Sequence, residues 1–192
     1  MNRTELLIAP IVAILLLLAN QSVAEERQRV TFPASAENTK YIQQHVIEVG
    51  DLPGHQIRVF ELQRTFPREQ APLFGGLVLK EQWVRGLTDY TGNSGTGNMY
   101  SMYLLENGDK FFSYSSIVAH KAGSGLSAVT IGRTIGGTGK FATMQGEVRS
   151  LVTADPSAGI NDGLTIVDYV LGNGTDAKRE VPRPPVGRPG QR

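Results

Sequence analysis

The 192-residue sequence contains no cysteine. The chain therefore forms no disulfide, holds no zinc through thiolates and has no thiol nucleophile. Its three histidines, His45, His55 and His120, stand at no metal-ligand spacing. A Gly-x-Ser-x-Gly motif is also missing, which argues against a serine hydrolase of the common type. We expect no metal and no cofactor.

An excess of charge of one sign is missing as well, since 19 basic residues stand against 18 acidic ones. Such a chain presents no electrostatic field suited to nucleic acid or to an anionic membrane surface. We expect neither as a partner.

The longest apolar run, residues 6–19, is too short to span a bilayer comfortably. Small residues follow at Ser22 and Ala24, as a signal peptidase requires. This pattern predicts a signal peptide over residues 1–24 and a mature protein that is secreted or periplasmic, without stable membrane insertion. The alternative is an uncleaved membrane anchor, because Glu5 spoils the basic start of a signal.

The two ends of the mature chain differ from its middle. Residues 25–53 are interpreted as an N-terminal arm with one short helix, since apolar residues there fit a helical stripe. Residues 174–192 are rich in proline and arginine and cannot bury a core, so we expect a disordered tail. Residues 54–173 remain as one β domain. The stripe consists of Tyr41, Ile42, His45, Val46 and Val49.

The middle of the chain alternates short β-branched and aromatic runs with glycine, proline and asparagine. Asn107 and Gly108 predict a hairpin with a type I′ turn, in which both central residues have positive φ. Sequential strands without crossover helices favour an all-β fold, a closed antiparallel up-and-down barrel of about eight strands, calycin-like. Such a barrel is filled by side chains or holds one small ligand. The predicted strands cover residues 56–65, 75–88, 98–105, 110–118, 128–134, 140–152 and 164–171.

The glycine-rich stretch before Lys140 departs from a phosphate-binding loop at two positions. That motif needs a glycine where Thr134 stands and a serine or threonine where Phe141 stands. We predict a tight turn between two strands instead.

Glu61 is the most informative charge inside a predicted strand. By a period of two it shares a face with Val59 and Gln63. If that face lines the lumen, Glu61 is a carboxylate in an apolar cavity and would act as a base or a fixed anion. In the alternative, Phe60 and Leu62 fill the core and Glu61 points outward.

Several segments between residues 55 and 172 resemble the barrel shared by plant allene oxide cyclases and dirigent proteins. The matching segments are Val59-Phe60-Glu61-Leu62, the stretch at residues 136–141, Gly146-Glu147-Val148 and the closing strand at residues 164–172. The resemblance implies an eight-stranded barrel, often trimeric, whose apolar cavity steers the cyclisation or coupling of a reactive small molecule. In the cyclases a glutamate of the first strand acts on the substrate and an asparagine two residues later helps hold a water.

Glu61 and Gln63 match those two positions, and the resemblance makes them the candidate catalytic residues. The expected function is an exported barrel that binds a small apolar molecule and steers its cyclisation or coupling. As an enzyme it would be an isomerase of the cyclase type. The alternative is a non-catalytic structural barrel or a lipocalin-like ligand carrier. The volume of the lumen separates a packed barrel from a ligand site.

Overall fold

The structure is a computed structural model, and it describes residues 26–172. The predicted signal peptide and the predicted tail lie outside these residues. Within them the chain forms ten β-strands and two short 3₁₀ segments, at Gly139–Phe141 and Pro156–Ala158. The strands are β1 (Gln28–Ala34), β2 (Thr39–Glu48), β3 (His55–Thr65), β4 (Leu73–Phe74), β5 (Leu77–Thr91), β6 (Ser94–Leu105), β7 (Lys110–Ala122), β8 (Gly125–Gly137), β9 (Gln145–Asp155) and β10 (Ile160–Val170).

The strands form one antiparallel sheet in the order β1-β10-β9-β8-β7-β6-β5-β3-β2, with β4 paired to β5. The predicted all-β antiparallel meander is confirmed for β5 to β10, which follow one another along the chain. Each of the seven predicted runs coincides with one strand of β3 or β5 to β10. Residues 140–144 differ, because they form a 3₁₀ segment and a turn before β9 begins. The predicted turn is thus longer than expected and lies later in the chain, at residues 138–144, while Gly136 and Gly137 still belong to β8.

The predicted closure of the barrel by hydrogen bonds is wrong for the part of the chain described. No ladder joins β1 to β2, the two edges of the sheet. An even number of antiparallel steps separates them, so both strands run in the same direction. Parallel neighbours need a crossover of a dozen or more residues, and only residues 35–38 connect these two. Residues 35–38 therefore connect the two edges of the curled sheet, and β1 and β2 do not pair with each other.

The short helix predicted in the N-terminal arm is also wrong, because residues 28–34 and 39–48 form β1 and β2. β1 pairs along its whole length with β10. β2 is an edge strand that pairs with β3, and nearly all of its side chains are exposed. Backbone hydrogen bonds to β3, and not the burial of one face, hold β2 in place. The spacing of its apolar residues therefore does not indicate a helix.

The hairpin at Asn107 is confirmed, since β6 and β7 pair antiparallel, but its turn is not of type I′. Gly108 has a φ of 90°, whereas no residue other than glycine has a positive φ between residues 26 and 172. Asn107 instead accepts a hydrogen bond at Oδ1 from the backbone N–H of Asp109, at 3.0 Å. This hydrogen bond makes an Asx turn, which shapes the connection without a positive φ at Asn107.

The interior of the curled sheet has two unlike halves. In the packed half, the rings of Tyr103 and Phe111 stack with centroids 4.2 Å apart. In the open half, the inward positions carry smaller groups, among them Ser115 and Ala128. The packed half consists of Phe32, Phe74, Leu79, Tyr103, Leu105, Phe111, Phe141, Met144, Val148, Val167 and Tyr169. The open half contains the candidate site.

Candidate ligand-binding cavity

A cavity of about 90 Å³ lies in the open half of the barrel. A second space of about 140 Å³ adjoins it towards the end of the barrel formed by the β5–β6 and β7–β8 turns. The two spaces share six lining residues, so they lie next to each other. Together they offer room for a small ring or a short chain, less than a typical drug-sized pocket. The shared residues are Tyr41, Arg58, Thr88, Tyr90, Leu126 and Ala154.

The cavity wall is mostly apolar and is interrupted by small hydroxyl groups. These side chains reach it because alternate residues of each strand point inward. The apolar part includes Phe60, Leu62, Val84, Met99, Ile117 and Ala128, and the hydroxyl part Thr88, Ser101, Ser115, Thr130 and Ser150.

Gly86 allows the Phe60 ring to lie flat on this wall. The two residues are direct cross-strand partners on β5 and β3. A Cβ atom at position 86 would lie 2.5 Å from the Phe60 ring, which is closer than van der Waals contact permits. Any larger residue at position 86 would therefore push the ring into the cavity.

Arg64 is the buried charge of the cavity, with only 9% of the residue exposed. Its Nε donates to Thr39 Oγ1 and its Nη1 to Gln82 Oε1, both at 3.2 Å. Both acceptors are neutral, and no ion pair among residues 26–172 includes Arg64. Burial lowers the pKa of its guanidinium. Arginine nevertheless stays charged in proteins, so the cavity contains a cation that the described chain does not neutralise.

Arg64, Gln82 and Tyr103 lie side by side on β3, β5 and β6. Tyr103 belongs both to the packed half and to the cavity lining, so this row forms the cavity floor. The Tyr103 hydroxyl lies 3.5 Å from Ser113 Oγ. Burial raises the pKa of Tyr103, so its phenol remains protonated at neutral pH.

Arg58 lies six residues from Arg64 on the same face of β3, at the mouth of the cavity. Its guanidinium carbon stands 4.9 Å from the centroid of the Phe60 ring, a cation–π contact. Near it, burial raises the pKa of Tyr90, and the charge of Arg58 opposes that rise. Among the described residues that line the two spaces, none is Asp, Glu or His. Every formal charge on the cavity wall is therefore positive.

Glu61 and Gln63 lie on the outer face of β3, so of the two orientations that the sequence left open the one with Glu61 in the lumen is wrong. Glu61 Oε1 pairs with Nη2 of Arg85, its cross-strand partner, at 2.6 Å. Gln63 Nε2 donates to Glu81 Oε2 at 3.1 Å. The outward alternative holds because Phe60 and Leu62 take the interior positions of the strand. A catalytic role for Glu61 and Gln63 on a molecule in the cavity has no geometric support.

Sequence reasoning missed Arg64 and Arg58, although a signal for them was present. Both share the parity of Phe60 and Leu62 on β3. Fixing Phe60 inward therefore also fixes both arginines inward.

Two further charge clusters lie outside the cavity. Asp168 of β10 is 2% exposed and pairs with Arg29 of β1 and Arg149 of β9, at 2.6 Å each. His55 stands between Asp51 and Asp89 near the cavity mouth. Within residues 26–172, no group of three or more His, Asp or Glu side chains is arranged to hold a metal.

The comparisons with known proteins include a structural likeness. No family model matches the sequence, and no curated protein matches it. A solved structure of the pterocarpan synthase dirigent protein GePTS1 is similar to 77% of this chain and 90% of its own, with 15% sequence identity and a TM-score of 0.41. At these values the likeness assigns neither an activity nor a substrate. Among residues 26–172, no helix has the length and apolar character needed to cross a membrane.

Proposed function

We propose that this protein binds one small, largely apolar molecule in the open half of its barrel and acts outside the cytoplasm. The observation that carries the proposal is the cavity itself, together with the second space beside it. Protein interiors are close-packed, and an unfilled apolar space with a few convergent polar groups is typical of a ligand site. The other half of the same barrel is filled by side chains, so the open space is confined to one half.

The cavity is suited to holding a reactant in one orientation. Steering of a cyclisation or coupling, the activity implied by the allene oxide cyclase and dirigent resemblance, requires that a barrel fix one reactive geometry. The wall offers no carboxylate or imidazole from the described residues as a general base. Its tyrosines and arginines supply proton donors and positive charge. The geometry thus favours binding and orientation, and turnover would use the reactivity of the ligand itself.

The test compares two serines that are adjacent on β7 and point to opposite faces. Ser115 lines the cavity, and Ser116 is exposed. We expect NMR titration with toluene and indole to detect binding to the wild type and to Ser116→Leu. Ser115→Leu fills the cavity and should weaken binding about tenfold or more. Absence of binding to the wild type, or equal binding to both variants, would contradict the proposal.

A second candidate function is assembly into a homo-oligomer, and a specific observation favours it. Val118, Val129, Leu151 and Leu164 are successive cross-strand partners on the outer faces of β7 to β10. Their exposures are 60%, 41%, 60% and 43%. We define these four residues as the outer stripe. A contiguous apolar patch of this kind marks an interaction surface, and the resemblance suggests a trimer.

Light scattering after size-exclusion chromatography tests the assembly. If the outer stripe is the contact, Leu151→Glu should convert the oligomer into a monomer, because it places a charge in an apolar interface. Val59→Glu is the matched control, since Val59 is an exposed apolar residue on the outer face of β3. A monomeric wild type would eliminate this candidate without touching the cavity.

A further inference from the structure

The charge on the cavity wall narrows the class of ligand. We infer that the ligand is an organic monocarboxylate, with its carboxylate bound by Arg64 at the cavity floor and its apolar body directed towards the mouth. This inference rests on the proposed ligand-binding function. It adds the charge, the chemical class and the orientation of the bound molecule.

The guanidinium of Arg64 has more N–H donors than the two hydrogen bonds that it makes. Arginine carries five N–H groups in a planar fork. The hydrogen bonds to Thr39 and Gln82 engage one group on Nε and one on Nη1. Within the described chain, the remaining donors on Nη1 and Nη2 have no such acceptor, and Arg64 lines the cavity. Two neighbouring guanidinium nitrogens match the two oxygens of one carboxylate.

The carboxylates closest to Arg64 in the sequence already have partners on the outer face of the sheet. Glu61 pairs with Arg85. Glu81 accepts hydrogen bonds from Gln63 and from Trp83 Nε1, at 3.1 and 2.8 Å. Strand pleating keeps these residues on the outer face of the sheet. An anion that meets Arg64 therefore has to enter through the cavity.

The dimensions and walls of the cavity favour a singly charged carboxylate. One buried guanidinium balances one negative charge, and a second charge on the ligand would be desolvated without a partner at the floor. The apolar wall around Phe60 and Met99 accepts a ring or a short alkyl chain. Arg58 at the mouth adds positive potential on the route of entry.

The experiment compares hexanoate with hexanamide, a neutral molecule of nearly the same shape, by isothermal titration at neutral pH. We expect the wild type to bind hexanoate about tenfold or more tighter than hexanamide, as expected for a hydrogen-bonded charge pair. Arg64→Met should remove this preference by weakening hexanoate binding while leaving hexanamide binding within about threefold. Arg64→Lys should restore part of the preference, because it restores the charge without the planar fork.

The outcomes separate the inference from the proposed function. If toluene or indole binds while the wild type shows no preference for hexanoate, the monocarboxylate inference is overturned and the cavity remains a ligand site. If none of the four probes binds, both fall. The wild-type comparison requires no variant, so a misfolded Arg64→Met protein would not prevent a decision. A preference that persists in a folded Arg64→Met protein would overturn the assignment to Arg64.

Discussion

The packed half and the open half of the barrel are built by the same strands, yet they bury different side chains. Along the inward face of β7 the residues are Phe111, Ser113, Ser115, Ile117 and Ala119. In the packed half the Phe74 ring lies 4.8 Å from Phe111 and 5.8 Å from Tyr169. On the flanking strands β6 and β8, the inward residues of the open half include Ser101, Ala128 and Thr130.

The packed half contributes mainly to stability, and the open half provides the space for a ligand. Large rings that contact one another remove much apolar surface from water and hold the curled sheet together. Small hydroxyl residues leave room for a ligand and hydrogen-bonding groups on the wall. Arg64 lies at the boundary between the two halves and is 9% exposed. The packed half thus provides the rigid floor on which the charge of the open half is held.

The largest expected effect is on stability in the packed half. Phe111→Ala should lower the free energy of unfolding by about 3–5 kcal/mol, because it opens a cavity among closely packed rings. Phe60→Ala in the open half should cost less, since one side of the Phe60 ring already borders the cavity. Urea denaturation measures both variants. Equal losses would show that the two halves do not differ in packing energy.

A smaller effect is expected from the ion pairs on the outer face. The Arg29 guanidinium, with Arg149, holds the pKa of the Asp168 carboxyl below its usual range. Asp168→Asn removes the charge that ties β1 and β9 to β10 and should lower Tm by roughly 5 °C. Glu61→Gln should lower it less, because Glu61 pairs with one arginine rather than two and its side chain is 14% exposed, against 3% for Asp168.

The sign of the pH dependence gives a second readout for Asp168. Its pKa is depressed in the folded state, so its stabilisation is present above the unfolded value, about 3.9, and is lost as pH falls through the folded value. The difference in Tm between wild type and Asp168→Asn should therefore shrink in acid. A difference that stays constant down to pH 2 would show that the charge of Asp168 is not what matters.

Much of the strand order could be predicted from the sequence, because turn residues and β-branched runs are local signals. Which face of β3 lines the interior could not, since Phe60 and Glu61 satisfy a period of two in either orientation. The orientation of β3 is decided by its cross-strand partners, such as Arg85 opposite Glu61 and Gly86 opposite Phe60. These contacts depend on register, which a single sequence does not show. Arg64 was overlooked because charged residues are rarely expected inside.

The edges of the sheet were the other part that sequence patterns did not predict. β2 has apolar residues that stay exposed, so hydrophobic periodicity does not describe it. Closure depends on the direction of β1 relative to β2, and that direction follows from the count of all strands between them. Because β1 and β2 were not predicted, the predicted architecture was wrong at the edges of the sheet and correct at its centre.

The smallest expected effect is a pH dependence confined to the open half. His55 lies near the mouth of the cavity, with Nε2 at 2.7 Å from Asp89 Oδ1 and Nδ1 at 2.5 Å from Asp51 Oδ1. The hydrogen bond to Asp89, and next that to Asp51, raise the pKa of His55 above its ordinary value. A raised folded-state pKa means that the stabilisation is fully present below the unfolded value, about 6.5, and is lost as pH rises through the folded value.

Wild-type Tm should therefore fall slightly between pH 6 and pH 9 relative to His55→Gln, which cannot carry the charge. The shift should be smaller than that of Asp168→Asn, since both aspartates of this cluster are more than half exposed. Hydrogen exchange should place the pH-dependent change in the β2–β3 turn and leave the packed half unaffected. A pH-dependent change that extended to the strands around Phe111 would show that the two halves unfold as one unit and that the comparison between them describes packing alone.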